Sequence, residues 1–130
     1  MAERFQAKST KISSANSVTD IFNPTSGADG LLDSSDDRSV VLSILGANAD
    51  GSSAVDVSVF VTATGSTSTT VATVEGEATS FYLAKTITIP ADASLEFVAN
   101  KVILKHGQKL RAYASAANDC EITVSALDIY

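Results

Sequence analysis

The chain has 130 residues, of which 45% are apolar and 18% charged, which excludes a disordered protein and allows one domain with its own core. The formal net charge of −6 argues against nucleic acid as a partner, because neutralising phosphates needs a basic surface, and against an anionic membrane. The only cysteine, Cys120, excludes an intrachain disulfide and a thiolate metal cluster.

The start of the chain, MAERFQAKST, has no apolar segment of the kind that a secretory signal peptide requires. The longest apolar run lies around Val40–Leu45 and is too short to cross a bilayer. We therefore expect a soluble protein that is made in a reducing compartment.

The first 38 residues are predicted to form an N-terminal arm and an acidic loop ahead of the folded body. Their start is basic, a run of aspartates follows, and Pro24 and Gly27 mark a turn. One strand is predicted near Ser17–Phe22. Opposite charges on the arm and the loop suit contacts between copies of the chain, so both are taken as a candidate interface. Its residues are Arg4, Phe5, Lys8, Lys11, Asp33, Asp36 and Asp37.

The same aspartates raise the question of a calcium site, since Ca²⁺ prefers carboxylate oxygens. The segment DGLLDSSDD, from Asp29 to Asp37, lacks the spacing of acidic residues and glycine that an EF-type loop needs. We favour a solvated acidic loop that aids solubility or faces a basic partner, and we expect no metal or other cofactor. Calcium binding by this loop is the alternative.

From Ser39 onward the sequence predicts one strand after another. The clearest is Val55–Val61, where every second residue is Val, as expected of a strand with one face on a core. Further strands are predicted at 40–45, 70–74, 81–89, 94–98, 101–104, 109–115 and 120–130, with turns between them.

Two of these strands carry local irregularities. Lys85 interrupts the apolar face of the strand that Pro90 ends, so we expect Lys85 near a sheet edge or at a bulge. In the last strand, Leu127 and Ile129 have the opposite parity to the apolar residues before them. Either a bulge lies near Ala126, or a neighbour covers the other face.

About eight short strands without a convincing amphipathic helix predict an all-β fold, an antiparallel β-sandwich of the jelly-roll or Ig-like kind. Residues 39–130 are predicted to form the sandwich body, and residues 1–38 the arm and loop of the same single domain. Because the strands bear few charges, one sheet is expected to carry an interface between copies.

Three stretches of the body resemble a known kind of protein. They are SVVLSILGANADGSSAVDVSVFVT from Ser39, FYLAKTITIPADASLEF from Phe81 and VILKHGQKLRAYASAANDCEITVSALDIY from Val102. A strand, a Gly turn, an L-x-A-x-A-S-A-A-N hairpin and a terminal strand together resemble the small structural proteins of tailed-bacteriophage virions.

This resemblance implies a β-sandwich that is made in the host cytoplasm and assembles as a trimer or ring in the virion. Its partners would be the major capsid protein, or neck and tail proteins, and further copies of itself. The resemblance rests on structural residues of the C-terminal part, so it implies nothing about the arm or the acidic loop.

The residues that most often act as catalysts form no pattern here. His106, the only histidine, precedes Gly107 in a turn sequence and is expected to be a surface turn residue. Cys120 shares parity with Ile122 and Val124 and is expected to be a small core side chain. The chain has neither a G-x-S-x-G motif nor a phosphate-binding glycine motif. We therefore predict that the protein is not an enzyme.

The aromatic residues Phe81, Tyr82, Phe97 and Tyr113 are expected to fill a core or an interface and not to stack on bases. The function that these observations favour is a non-enzymatic virion protein, specifically a capsid decoration or cement protein that stabilises the head shell. A neck or tail adaptor of the same fold is the alternative. A carbohydrate-binding module is a third possibility, disfavoured because the chain has no Trp.

Overall fold

The computed structural model describes residues 3–24 and 37–129. These residues form nine β-strands and one short helix. The strands are β1 (Glu3–Lys11), β2 (Thr19–Phe22), β3 (Arg38–Asn48), β4 (Val55–Ala63), β5 (Phe81–Ile89), β6 (Ser94–Glu96), β7 (Val102–Lys105), β8 (Gln108–Ala114) and β9 (Cys120–Ile129). The helix, α1, covers Val71–Glu75.

The strands form two antiparallel sheets that pack face to face around one core. Sheet I has the order β1-β9-β3-β6, and β7 pairs with the other half of β3, so that β6 and β7 share one edge. Sheet II has the order β2-β8-β4-β5. The protein is therefore an all-β sandwich, which confirms the predicted fold class.

The connectivity is that of a jelly roll. Apart from the β4–β5 connection and the break between β6 and β7, each connection passes from one sheet to the other. Strands that are distant in sequence, such as β1 and β9, are therefore neighbours in a sheet, as in double-sheet jelly rolls. An Ig-like domain keeps its first two strands in one sheet, whereas β1 and β2 lie in different sheets here.

The core is built from alternate residues of the strands on both sheets. The alternation predicted for Val55–Val61 is confirmed, since the four valines point inward and are at most 8% exposed. In β9 the inward residues are Cys120, Ile122, Val124 and Ala126, all 0% exposed. Burying a side chain of the size of Val or Ile contributes about 1.5–3 kcal/mol, so this core is the main source of stability.

The start of the described chain is an edge strand of sheet I, where the sequence predicts an arm. β1 pairs with β9 without a register shift, from Glu3 opposite Ile129 to Lys11 opposite Glu121. No apolar alternation marks this segment because most of its residues remain exposed at the sheet edge. β1 is held in the sheet by hydrogen bonds between backbones, and such bonds leave no mark in the pattern of apolar residues along the sequence.

The strand predicted at 70–74 is wrong, because α1 occupies this segment. Its β-branched residues favour a strand, but Val74 is fully buried against Phe60 on the outer face of sheet II. In a helix, Val71 and Val74 lie three residues apart and share the side that faces the sheet. Tertiary packing therefore outweighs the local propensity.

The bulge expected around Lys85 is confirmed. The register of β5 against β4 shifts there. Two residues of β5, Lys85 and Thr86, lie opposite the single residue Ser58 of β4. Thr86 has a positive φ of 53°, and its backbone N–H donates to Ser58 Oγ over 2.8 Å. β5 is an edge strand of sheet II and ends at Ile89, just before the proline.

The irregularity expected near Ala126 lies on the partner strand. The register of β3 against β9 shifts between Val41 and Ser43, which makes Leu42 the additional residue of a bulge. β9 continues its alternation past this point, so Leu127 points away from the core, on the outer face of sheet I.

Candidate interaction surface

The outer face of sheet I carries a row of four apolar side chains that crosses the whole sheet. Phe5 of β1 lies opposite Leu127 of β9. Val40 of β3 lies opposite Leu127 on one side and opposite Ile103 of β7 on the other. Directly opposed residues point to the same face, so these four form one continuous line, which we call the apolar row.

The exposure of the apolar row sets it apart from the core. Phe5 and Ile103, at its two ends, are 76% and 60% exposed, and the two residues between them are half-buried. Leu42 and Leu45, at 37% and 42% exposure, extend the apolar surface along β3. Single exposed apolar residues are ordinary on any protein, whereas a continuous patch marks an interaction surface.

A second row, two residues further along each strand, carries charge of opposite sign at its two ends. It consists of Glu3, Ile129, Arg38 and Lys105. Within the described residues, no ion pair joins Glu3 or Lys105 to another charge. Arg38 donates from Nη1 to the backbone carbonyl of Asp37 over 2.8 Å. This second row, which we call the charged row, is therefore acidic on β1 and basic on β3 and β7.

The four basic and aromatic residues predicted as an interface all lie on β1, but on two faces. Phe5 and Lys11 point outward, and Lys11 forms an exposed ion pair with Glu121 at 3.5 Å. Arg4 points to the other side, where its Nη2 lies 3.8 Å from Oδ2 of the fully buried Asp128. Only Phe5 belongs to the apolar row.

Lys8 bears on whether another strand can add to the β1 edge of sheet I. It pairs with Val124, whose side chain is in the core, so Lys8 points toward the inner side of the sheet at its edge. An inward-pointing charge on an edge strand discourages another strand from adding there. The flat face of sheet I is therefore better suited to a partner than its β1 edge.

The acidic half of the predicted interface is described only in part. Asp37 directly precedes β3 and is 8% exposed, so most of this residue is buried. Asp33 and Asp36 lie outside the described residues, as does Asp29 of the calcium alternative. The predicted contact between the arm and the acidic loop therefore stays a prediction.

The outer face of sheet II is covered by the chain itself. Phe60 is 1% exposed, and its ring centroid lies 5.4 Å from that of Tyr82 and 6.0 Å from that of Tyr113. The Tyr82 hydroxyl meets both Tyr113 and the Glu75 carboxylate of α1, and desolvation together with the Glu75 contact raises the pKa of Tyr82. α1 thus closes this face, which leaves sheet I as the open one.

Two buried cations lie on the outer side of β8 in the same sheet, and the sequence did not reveal them. Lys109 and Arg111 are each 3% exposed. Lys109 Nζ lies 3.0 Å from Asp20 Oδ2, and Arg111 Nε lies 2.6 Å from Asp20 Oδ1. Arg111 also donates to Ser66 Oγ over 3.1 Å. Both cations alternate with apolar residues of β8 and therefore look solvent-facing in the sequence.

The residues considered for catalysis lie where the sequence predicts. His106 is exposed in the turn between β7 and β8, and Cys120 is fully buried at the start of β9. Burial raises the pKa of the Cys120 thiol to about 11, so the thiol is protonated at neutral pH. The described parts of the chain contain no group of three or more His, Cys, Asp or Glu residues that could hold a metal ion.

A shallow depression of about 290 Å³ lies at the ends of β1 and β9 that are remote from the apolar row. Ser9 and Thr123 hydrogen bond to each other across it at 3.0 Å, and Lys11 pairs with Glu121. These polar groups bind one another, so the depression makes a weak candidate for a ligand site.

Comparison with known proteins assigns the chain to no family. No family model matches the chain, and no curated protein matches it. The chain is similar to a solved structure, the cryo-EM structure of the VLP of extra small virus (XSV) of the giant freshwater prawn Macrobrachium rosenbergii. The two chains are 10% identical with a TM-score of 0.42, over 98% of this chain and 77% of the other.

In the described residues, no helix is long and apolar enough to cross a membrane.

Proposed function

We propose that this chain is a non-enzymatic structural protein of a virion, and that it acts as a decoration or cement protein on the capsid exterior. The observation that carries the proposal is the apolar row, four aligned side chains that cross a complete sheet, with the two at its ends more than half exposed. A flat apolar surface of this kind suits contact with another protein better than the binding of a small substrate.

The architecture is compatible with this role. Jelly rolls occur in viral capsid proteins, in lectins and in cupins, so the fold admits the proposed function without selecting it. The resemblance of the C-terminal stretches to the structural proteins of tailed-phage virions favours the first of these classes.

The proposed mechanism is mechanical. Sandwiches that bind at junctions between capsid subunits add many weak contacts, and their sum resists the pressure of packaged DNA. The major capsid protein is the proposed partner, and copies of this chain would assemble as a trimer or ring that matches the local symmetry of the lattice.

The placement of the reactive side chains supports a role without chemistry. A nucleophile needs a base within hydrogen-bond reach and a fraction in its reactive form. Cys120 is buried with a raised pKa of about 11, and His106 lies in an exposed turn on another part of the sandwich. The proposal therefore assigns neither residue a catalytic role.

The proposal can be tested by adding purified protein to capsids that lack it. We expect DNA-filled particles without this chain to release DNA at a lower temperature than wild-type particles. Adding wild-type protein should restore the release temperature, because cement proteins act from the outside. The variant Ile103→Glu, at the 60% exposed end of the apolar row, should fail to restore it.

The matched control is Phe81→Glu, which places the same charge at a 64% exposed apolar residue on sheet II. This variant should restore the release temperature as the wild type does. If saturating wild-type protein leaves the release temperature unchanged, the cement function is wrong. Protein bound only as a ring at the neck or tail would instead favour the adaptor alternative.

A further inference from the structure

We infer that the outer face of sheet I is a self-complementary interface, on which a second copy of this chain docks through a two-fold axis parallel to the strands. The inference rests on the proposed role of this face as a contact surface and assigns that contact to a second copy, so that a capsid would meet other surfaces of the sandwich. It follows from the order of side chains in the two rows that cross the sheet.

The apolar row is compatible with this geometry because reversing the strand order still places apolar side chains against apolar side chains. A two-fold axis along the strands reverses the strand order of the second copy, so β1 faces β7 and β9 faces β3. Phe5 then lies over Ile103 of the second copy, and Leu127 lies over Val40. The two most exposed apolar residues of the row thus cover each other.

The charged row favours this axis over a two-fold axis that crosses the strands along the apolar row. Reversing the strand order places Glu3 of one copy over Lys105 of the other, twice in each dimer. A two-fold axis across the strands, along the apolar row, would instead place Glu3 over Ala7 and leave Glu3 without an opposite charge. Charge complementarity of this kind fixes the register of an interface and suppresses wrong arrangements.

The size of the face is sufficient for a specific dimer. Four strands spaced about 4.8 Å apart, over the length of a nine-residue strand, cover about 550 Å² per copy. Two such faces would bury about 1,100 Å², which is above the lower limit of roughly 1,000 Å² for a specific interface. Leu45 would lie within the same area and add to its apolar part.

A contact of this kind closes at two copies, because each copy uses the same surface. Any trimer or ring would therefore use other surfaces of the sandwich. The outer face of sheet II is not available for an equivalent contact, since α1 and its neighbours already cover Phe60.

The first test is the mass of the purified full-length chain in solution, measured by sedimentation equilibrium from about 1 to 100 μM. We expect a species of twice the 13.4 kDa mass of the chain at the upper end of this range. Ile103→Glu should raise the dissociation constant at least about tenfold, because it buries a charge in the apolar row. Phe81→Glu should leave the dissociation constant unchanged.

The second test is a charge exchange that distinguishes this axis from any other apolar contact. Glu3→Lys and Lys105→Glu should each raise the dissociation constant about tenfold, since each places two like-charged pairs in the dimer. The double variant restores opposite charges and should return within about threefold of the wild type. Circular dichroism of each variant checks that these exposed positions leave the fold intact.

A wild-type chain that remains monomeric at 100 μM would overturn the inference. So would a double variant that dimerises no better than the two single variants. Neither result bears on the proposed virion role, which is tested by adding the protein to capsids, so the two proposals fail separately.

Discussion

Asp20 shows how a single half-exposed residue can hold a buried part of this protein in place. Its two carboxylate oxygens contact Lys109 and Arg111, both of which are almost completely buried. Arg111 also donates to Ser66, in the connection between β4 and α1. Because a buried charge without a partner is costly, the stability of this region depends on Asp20.

Substituting Asp20→Ala should lower the free energy of unfolding by about 2–3 kcal/mol, since it leaves two buried cations without their carboxylate. Urea unfolding measures this change. Glu121→Ala is the control, because the Lys11–Glu121 pair is about half exposed on both sides and such pairs contribute less than about 1 kcal/mol. Equal effects of the two substitutions would contradict the assignment.

The thiol of Cys120 should make stability depend on pH in the alkaline range. Its pKa rises from 9.0 to about 11 on folding, because burial disfavours the thiolate. The stabilising effect is therefore complete below pH 9 and is lost as the pH rises through 11. The difference in unfolding free energy between the wild type and Cys120→Ala should shrink over this interval. A difference that stays constant from pH 8 to pH 11 would contradict the raised pKa.

At the scale of elements, the sequence predicts strands well where one face is buried and the other is polar. Val55–Val61 and the first part of β9 are of this kind, and both alternations are found. β1 was not predicted because it lies at a sheet edge and is held by backbone hydrogen bonds. α1 was predicted as a strand because its β-branched residues favour one. The burial of Val74 against Phe60 decides its conformation instead, and local propensity does not report that contact.

Removal of residues 1–11 tests whether the start of the chain is an arm or a strand. As part of sheet I, β1 covers the edge of β9, so its loss should prevent cooperative thermal unfolding and promote aggregation through the exposed edge. Removal of residues 1 and 2 alone, which precede β1, should leave the melting temperature unchanged. A cooperative, monomeric chain after removal of 1–11 would show that β1 is dispensable.

The packing of α1 on sheet II can be tested by Val74→Ala. Val74 is fully buried, so the substitution should lower the free energy of unfolding by about 2 kcal/mol and speed amide exchange within α1. Thr73→Ala, at an exposed position of the same helix, should change the free energy of unfolding by less than about 0.5 kcal/mol. No difference between the two variants would mean that α1 is held in another way.

At the scale of the whole molecule, composition and periodicity predict an all-β sandwich, and the strand order selects the jelly roll. The apolar row could be predicted only in part. The parity of Leu127 indicates an apolar residue on the outer face, but its alignment with Phe5 and Ile103 depends on the register between strands that are distant in sequence. No local pattern contains that register.

The measurement that tests the central claim most directly is the number of copies of this chain in purified virions, obtained by quantitative mass spectrometry against the major capsid protein. A decoration protein predicts a copy number close to that of the capsid protein, because it follows the head lattice. Absence of the chain from purified virions would contradict the claim that it is a structural protein of the particle.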